Sequence, residues 1–310
     1  EDRFQELKPG KSVAIGDFTI TPFAVDHSIY GCLAFLVEAG GKRLLYTGDL
    51  RLHGNRPAEH EAIIEALAGS NLDALIVEGT HFGFVNGNET TEMQLETEIA
   101  KHCENASGLV LAAFSPQHMD RLRSFIHAAK ATERTFVADP YAAFVLHLAS
   151  WDAKLSNPLK RGVGRVYYPK SLNEKIERIG TNKVYERFRK VEINMGEIME
   201  TPEQFVMVFR PSMLVDFTSG FPDETMCLYS SWYGYSQRPD WQQVRNALAT
   251  SNGNIVHAHT SGHALSSDIV KFTAAIKAET IIPIHTFKPE TFEEHFDNVV
   301  IATDGKSITL

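Results

Sequence analysis

Short apolar runs separated by turn residues dominate the first part of the chain. Residues 12–25 and 32–49 each contain two apolar runs around a glycine-containing turn, which predicts two β-hairpins. Apolar positions at helical spacing in 58–69 predict a helix, and a fully apolar run that ends at Glu78 predicts a short strand. The first part of the chain is therefore predicted to be rich in hairpins.

From about residue 108 the pattern changes to apolar strands that alternate with helices. This alternation is typical of a parallel, doubly wound sheet, so we predict an α/β unit distinct from the hairpin-rich start. After about residue 254 the pattern predicts a strand, a helix, a further strand and closing strands. In the middle of the chain, strands are predicted at GLVLAAF, TFVAD, FVMVFR and TMCLYS, and helices at MDRLRSFIHAAK, AAFVLHLAS and 241–248.

A basic segment, residues 154–190, interrupts an otherwise acidic chain. It holds eleven Lys or Arg against three Glu, whereas the whole chain has a formal net charge of −9. Tyr167, Tyr168 and Tyr185 lie among these charges. Two interpretations stay equal at this point, a solvated helical surface or a track for a polyanion such as single-stranded RNA.

The composition restricts the kind of site and the compartment. Only three cysteines occur, without CxxC spacing, against thirteen histidines, so a metal site would use imidazole and carboxylate ligands. So few cysteines also argue against a disulfide framework and for a reducing compartment. No apolar run is long enough to cross a membrane, and the first residues are acidic and polar rather than signal-like. We expect a cytoplasmic protein without a membrane partner.

Several apolar runs end in an ionisable side chain that is followed by small turn residues. Strand ends at one edge of a sheet converge on a common cleft, so these side chains are expected to lie together. Any one of them alone is explained equally well as a packed polar group, but a set of His, Asp and Glu suits Zn²⁺ or Mn²⁺. The residues at these ends are His27, Asp49, Glu78, His259, His263 and His285.

The stretch HTSGHALSSD predicts an anion site. A strand gives way to a Ser-Gly turn and then to a helix that starts near Ser266, and backbone N–H groups at such a helix start attract anions. His259, Ser261 and His263 add side-chain donors, and a phosphate is the natural guest. An ordinary helix cap explains Ser266 but not the two histidines.

Five motifs in this order, VDHSIYG, LLYTGDLR, LIVEGT, HTSGHA and IPIHT, resemble the β-CASP branch of metallo-β-lactamase-fold nucleases. That branch contains ribonuclease J and the eukaryotic pre-mRNA 3′-end cleavage subunit. The resemblance implies a metallo-β-lactamase αββα sandwich over 1–104 and 256–310, with its N-terminal part missing. It implies that residues 105–255 form an inserted, doubly wound β-CASP domain.

The resemblance also implies roles for individual residues. His27, Asp49 and His285 match metal ligands, with Asp49 bridging two Zn²⁺ in a complete site and Mn²⁺ as the other candidate. The residues matched to catalysis are Asp49, His263 and Glu78, and those matched to substrate phosphates are His259, Ser261, His263 and, more weakly, Ser115. The other histidines, His53, His60, His81, His102, His118, His127 and His147, are interpreted as surface or packing residues.

The function implied by the resemblance is hydrolysis of RNA phosphodiester bonds by a metal-bound hydroxide, with single-stranded RNA as partner and a homodimer as a further expectation. Two alternatives stay open: a non-catalytic RNA-binding relative or fragment, and a metallo-hydrolase of a small-molecule ester. The basic segment argues against the small-molecule hydrolase.

One departure from the family matters for activity. The signature metal motif HxHxDH occurs nowhere in the chain, and three ligands are too few for a stable two-metal site. Either the chain is a portion of a longer protein, or it is a degenerate relative that retains RNA binding. We favour the first, because a degenerate site is not expected to retain Asp49 and His285.

Overall fold

The computed structural model describes residues 5–84, 90–152, 157–180 and 183–310. The chain divides into two compact units, the first formed by Glu1–Thr91 with Ser261–Leu310 and the second by Glu92–Thr260. The strands are β1 (Val13–Ile15), β2 (Phe18–Ala24), β3 (Leu33–Ala39), β4 (Lys42–Tyr46), β5 (Ala74–Glu78), β6 (Val110–Ala113), β7 (Thr135–Ala138), β8 (Arg165–Tyr167), β9 (Glu192–Ile193), β10 (Phe205–Val208), β11 (Met226–Tyr229), β12 (Asn254–His257) and β13 (Thr280–Ile284). The helices are α1 (Pro57–Leu67), α2 (Glu92–Asn105), α3 (Met119–Ala131), α4 (Pro140–Asp152), α5 (Lys170–Ile179), α6 (Lys183–Glu186), α7 (Met195–Glu200), α8 (Pro239–Ala249) and α9 (Ser266–Ile276).

The first unit contains a six-stranded mixed sheet in the order β1-β2-β3-β4-β5-β13. The two predicted hairpins are confirmed as β1–β2 and β3–β4, and β4, β5 and β13 pair in parallel. Helices α1 and α9 cover one face, where Leu45 and Leu75 pack with Ile63 and Phe272. Strands β2, β4, β5 and β13 run in the same direction, so the loops that follow them open at one edge of the sheet.

The second unit contains a seven-stranded sheet in the order β12-β11-β6-β10-β7-β8-β9, and every neighbouring pair is parallel. Successive residues of β6 enter two different cores: Val110 packs with helices α2 to α4, and Leu111 packs with α8. Both faces of the sheet are therefore covered, and the predicted parallel α/β layer is confirmed. These strands are apolar throughout because their side chains are buried on both faces of the sheet.

The unit boundaries differ from those expected from the sequence, because helix α2 belongs to the second unit. Its residues Leu95, Ile99 and Cys103 are fully buried in the core formed with α3 and α4. The second unit therefore starts at Glu92 rather than at 105, and it continues to Thr260 rather than to 255. That the first unit is half of an αββα sandwich and the second a β-CASP domain stays a prediction.

One other sequence prediction fails. The closing strands expected after residue 285 do not form; residues 286–310 contain a 3₁₀ turn at Pro289–Glu294 and a single bridge between Val299 and Ile281. The basic segment contains the short elements β8, α5 and α6, which the sequence pattern did not reveal. Within the described parts of the chain, no helix is long and apolar enough to cross a bilayer.

Two tyrosines of the basic segment, Tyr167 and Tyr168, do not line an open track. Tyr167 and Tyr168 are buried, and the guanidinium of Arg189 lies 3.7 Å from the centre of the Tyr168 ring. Lys154 and the side chain of Tyr185 lie outside the described residues. Burial removes two of the three rings from any stacking with bases, so the polyanion interpretation of this segment loses its aromatic component.

Candidate active site

The predicted convergence of strand ends occurs in the first unit. His27 follows β2, Asp49 follows β4, Glu78 ends β5 and His285 follows β13. His263 reaches the same place from the turn before α9, and its imidazole lies 5.0 Å from that of His27 and 5.1 Å from that of His285, centre to centre. Five of the residues that the sequence singled out thus form one cluster.

His27 is fixed with one nitrogen directed toward the cluster. Its Nδ1 lies 2.6 Å from the carbonyl oxygen of Gly262, which can only accept, so Nδ1 carries the proton. Nε2 keeps a lone pair that lies 3.2 Å from the Ser28 hydroxyl and that a metal could take in its place. The side chain is buried, and burial lowers the pKa of the imidazole, which favours the neutral form that a metal needs. Nε2 faces the Asp49 carboxylate at 3.9 Å.

A buried ion-pair network holds the loop that carries His27. Asp26 is 3% exposed, and its carboxylate accepts from the side chains of Arg51 at 3.0 Å and Arg56 at 3.1 Å. The same carboxylate accepts from the backbone N–H of Arg56 at 2.9 Å. Because a buried carboxylate with several donors has one preferred position, Asp26 fixes the backbone from which His27 projects.

Asp49 lies between the two predicted metal-binding histidines. Gly48, with a φ of +58°, turns the chain so that the Asp49 carboxylate faces the cluster. One carboxylate oxygen is 3.0 Å from His285 Nδ1 and the other is 3.9 Å from His27 Nε2. His285 itself has a φ of +50°, a conformation uncommon for residues other than glycine and often found at functional sites.

Glu78 is completely buried and pairs with His263. Both carboxylate oxygens lie 3.1 Å from His263 Nδ1, the first also accepts from the backbone N–H of Leu50 at 2.8 Å, and the second accepts from the Thr80 hydroxyl at 2.7 Å. Burial by itself would raise the pKa of Glu78. The hydrogen bond and charge of His263, together with the other hydrogen-bond donors, have the larger effect, so the pKa of Glu78 is lowered. For His263, burial lowers the pKa and the Glu78 carboxylate more than compensates, so the pKa is raised.

Two overlapping sets of side chains could hold metal ions. His27, Asp49 and His263 place ligand atoms within 4.8 Å of one another, and so do Glu78, His263 and His285. Among the described residues, two of the predicted ligands, His27 and Asp49, fall in the first set and the third, His285, falls in the second, whereas His263 belongs to both. The mixture of imidazole and carboxylate suits Zn²⁺ or Mn²⁺, so the donor set fits the metal that the sequence predicted.

Ser261 lies beside this cluster and is contacted by two histidines that were interpreted as surface or packing residues. His81 Nε2 is 2.8 Å from the Ser261 hydroxyl, and His53 Nε2 is 2.9 Å from the Ser261 carbonyl. The sequence did not predict that His81 contacts Ser261, a residue predicted to bind phosphate. The position of His81 three residues after Glu78, next to the turn-forming Thr80, was the signal that could have found it.

His259 and Ser115 belong to the second unit. His259 Nδ1 lies 3.3 Å from the guanidinium of Arg121, which is fully buried and also pairs with the buried Glu92 at 3.1 Å. Desolvation and the positive charge of Arg121 lower the pKa of His259, although the residue keeps a solvent-exposed edge. Ser115 is exposed in the turn after β6.

The contacts of three further histidines, His118, His127 and His102, agree with a surface or packing role. His118 is buried and caps α3 by accepting from the Arg121 backbone N–H, whereas His127 and His102 pair with Glu96 and Glu98 on helix surfaces.

No family model matches the chain. The chain is similar to the ribonuclease J of Mycolicibacterium smegmatis, with 29% identity over 136 residues, which is 43% of this chain and 24% of that protein. It is also similar to the ribonuclease J of Sinorhizobium meliloti, with 23% identity over 290 residues, which is 90% of this chain and 48% of that protein. The chain thus spans at most about half the length of these curated relatives, and the similarities support a relationship to a ribonuclease family.

The fold is shared with a solved structure. A protein of unknown function from Enterococcus faecalis V583 superposes with a TM-score of 0.76 at 21% identity, covering 100% of this chain and 69% of that one. At this identity the likeness concerns the fold alone, which is α/β in both.

Proposed function

We propose that this protein hydrolyses phosphodiester bonds in RNA with the help of metal ions held by His27, Asp49 and His285. The observation that carries the proposal is the position of Asp49, whose carboxylate contacts His285 at 3.0 Å and faces His27 at 3.9 Å at a single sheet edge. The relatives from Mycolicibacterium smegmatis and Sinorhizobium meliloti are both ribonuclease J, which supports RNA as the substrate. The first unit is proposed to be metallo-β-lactamase-like and the second to be a β-CASP domain.

Each residue of the cluster has a distinct task in this proposal. His27, Asp49 and His285 would hold Zn²⁺ or Mn²⁺, which when bound would supply positive charge to the phosphate oxygens and lower the pKa of a water molecule. Gly262 holds His27 in the tautomer in which Nε2 carries no proton. The Asp49 carboxylate faces both histidine ligands, His27 and His285.

His263 is proposed to handle the substrate. Glu78 holds its Nδ1 at 3.1 Å and raises its pKa, so that a proton on Nε2 is available for a phosphate oxygen or for the leaving O3′. Ser261 of the first unit stays a proposed phosphate contact. His259 and Ser115 of the second unit are separately proposed phosphate contacts. Arg121 lies 3.3 Å from His259 Nδ1 and the Ser230 carbonyl accepts a hydrogen bond from the same imidazole, so the position of the ring is fixed within the second unit.

The proposed function is tested by measuring metal and cleavage on the same preparation. The protein is purified without chelator, metal per chain is determined by elemental mass spectrometry, and hydrolysis of a labelled single-stranded RNA is followed. We expect bound zinc or manganese, loss of hydrolysis in EDTA, and recovery when the metal is added back. A chain that carries no metal but binds RNA would be a non-catalytic relative, which the absence of HxHxDH from the sequence favours.

Replacing Asp49 with Asn is expected to weaken metal binding by about 10–100-fold, because the amide lacks the charge that faces both histidines. The measurement is metal retained after dialysis against a weak competing chelator. Asp17→Asn, in the exposed turn between β1 and β2, is the matched control and should retain metal like the wild-type protein. Equal retention in the two variants would contradict the proposed role of Asp49.

A further inference from the structure

We propose that the loop after β11 is a stacking platform for the unpaired bases of a single-stranded RNA. The aromatic loop, residues 230–238, reads SSWYGYSQR and lies in the second unit. The identity of the ligand as RNA rests on the proposed function, but the recognition of unpaired bases is argued from the loop itself.

Three large aromatic side chains of the aromatic loop are exposed to solvent. Trp232 is 63% exposed, Tyr233 61% and Tyr235 48%. Exposure of single apolar residues is ordinary, but three aromatic rings within four positions form a patch of the kind that marks an interaction site. The sequence suggested that aromatic rings for base stacking lie in the basic segment. Exposed aromatic rings occur instead in the aromatic loop.

The exposure is not a consequence of a loose loop, because the backbone is held at three points. The Tyr229 hydroxyl donates to the Trp232 carbonyl at 3.1 Å, and the Ser236 hydroxyl donates to the Tyr233 carbonyl at 2.7 Å. Arg245 of helix α8 donates to the Ser236 carbonyl at 2.5 Å. A fixed backbone limits the entropy that is lost when a ligand binds, which suits a preformed site.

Two of the three rings contact each other, and the loop backbone supports one of them. Trp232 and Tyr235 meet edge to face, with centres 5.2 Å apart and planes at 86°. The six-membered ring of Trp232 lies over Gly234, where an added Cβ would be 2.2 Å from ring atoms. Glycine at 234 is therefore required for this position of the indole, and the loop offers it a backbone rest without covering it by another side chain.

The charge near the rings favours a polyanion. The guanidinium of Arg238 lies 4.5 Å from the centre of the Tyr235 ring, His257 lies 5.2 Å from Tyr233, and the loop itself has no acidic or aliphatic residue. The nearby Asp240, in the first turn of α8, accepts from the Trp241 N–H. Aromatic faces next to arginine bind single strands without sequence preference, since every base has a π-face.

The position in the fold is also appropriate. The loop follows β11 and lies next to the end of β12, at the carboxyl edge of the parallel sheet, where α/β units bind their ligands. A second copy of this chain is the other candidate for the surface, because Trp, Tyr and Arg also dominate protein interfaces. The absence of aliphatic side chains in the loop favours RNA.

The test measures binding without cleavage. Fluorescence anisotropy of a short labelled oligouridylate is recorded in EDTA at fixed salt, for the wild-type chain and for Trp232→Ala and Tyr235→Ala. Each substitution is expected to weaken binding by about tenfold, whereas Trp232→Phe keeps a ring and retains most of the affinity. An abasic oligonucleotide, which has phosphates but no bases, should bind the wild type and the variants equally.

Phe18→Ala is the matched control, because Phe18 is an equally exposed aromatic residue, at 51%, at the start of β2 in the first unit. Unchanged RNA affinity in both loop variants, or an equal loss toward the abasic strand, would overturn the proposal. A change from dimer to monomer on sedimentation, with RNA affinity unchanged, would assign the loop to a protein interface instead. Failure of the wild type to cleave RNA would overturn the proposed function but leave this binding result standing.

Discussion

His263→Ala is expected to reduce RNA cleavage by about 10²–10⁴-fold, the range for loss of a general acid or base, while metal per chain stays unchanged. The physical reason is the pairing with Glu78: a carboxylate at 3.1 Å raises the pKa of the imidazole and fixes its orientation toward the cluster. Alanine removes the proton donor but leaves His27, Asp49 and His285 in place.

The measurement combines single-turnover cleavage of a labelled RNA with elemental analysis of the variant. His127→Ala is a close control, because His127 also pairs through Nδ1 with a glutamate, Glu96, at 3.0 Å, but on the surface of helix α3. Wild-type cleavage in His263→Ala would refute its role in catalysis. Loss of metal from that variant would instead make His263 a ligand, as its place in both ligand sets allows.

Glu78→Ala is expected to lower the free energy of unfolding by about 3–5 kcal/mol, because removing one partner of a buried pair leaves the other uncompensated. Glu78 has no exposed surface and accepts from His263, from Thr80 and from the backbone N–H of Leu50. Glu78→Gln keeps acceptors for some of these donors and should lose less stability.

Urea unfolding followed by circular dichroism gives the free energy. Glu96→Ala is the matched control: its histidine partner is the exposed His127, and loss of such a pair costs at most about 1 kcal/mol. Equal destabilisation by Glu78→Ala and Glu96→Ala would contradict the view that burial makes the Glu78 pair important.

The sequence predicted those elements whose hydrophobic pattern was long or bounded by glycine. The hairpins around Gly16 and Gly40, the helices α1, α3 and α9, and the strands β5 to β7 and β10 to β13 were placed correctly. The failures among the strands occurred where the local pattern is weak. Strands were expected after residue 285, but this tail pairs with β13 only at Val299, and strands β8 and β9 have too few residues to give a hydrophobic pattern.

For the site, the sequence identified residue types and the positions at which strands end, and the shared direction of β2, β4, β5 and β13 was enough to bring four of these side chains together. The fifth, His263, arrives from the turn before α9. It could not identify which hydrogen-bond partner each side chain would meet. The contact of His81 with Ser261 and the two arginines on Asp26 link residues far apart in the chain, which no local pattern records.

By itself, therefore, the sequence determined the α/β class, the alternation of strands and helices, and the His, Asp and Glu residues of the cluster, because these follow from periodicity and from strand termination. Only the tertiary structure decided which side chains are buried and which are open. Tyr167 and Tyr168 lie in cores, whereas Trp232, Tyr233 and Tyr235 face solvent, although both sets are aromatic residues in polar surroundings along the chain. Burial depends on the packing of distant elements against one another, and so does the pairing of His263 with Glu78 that sets the pKa of both groups.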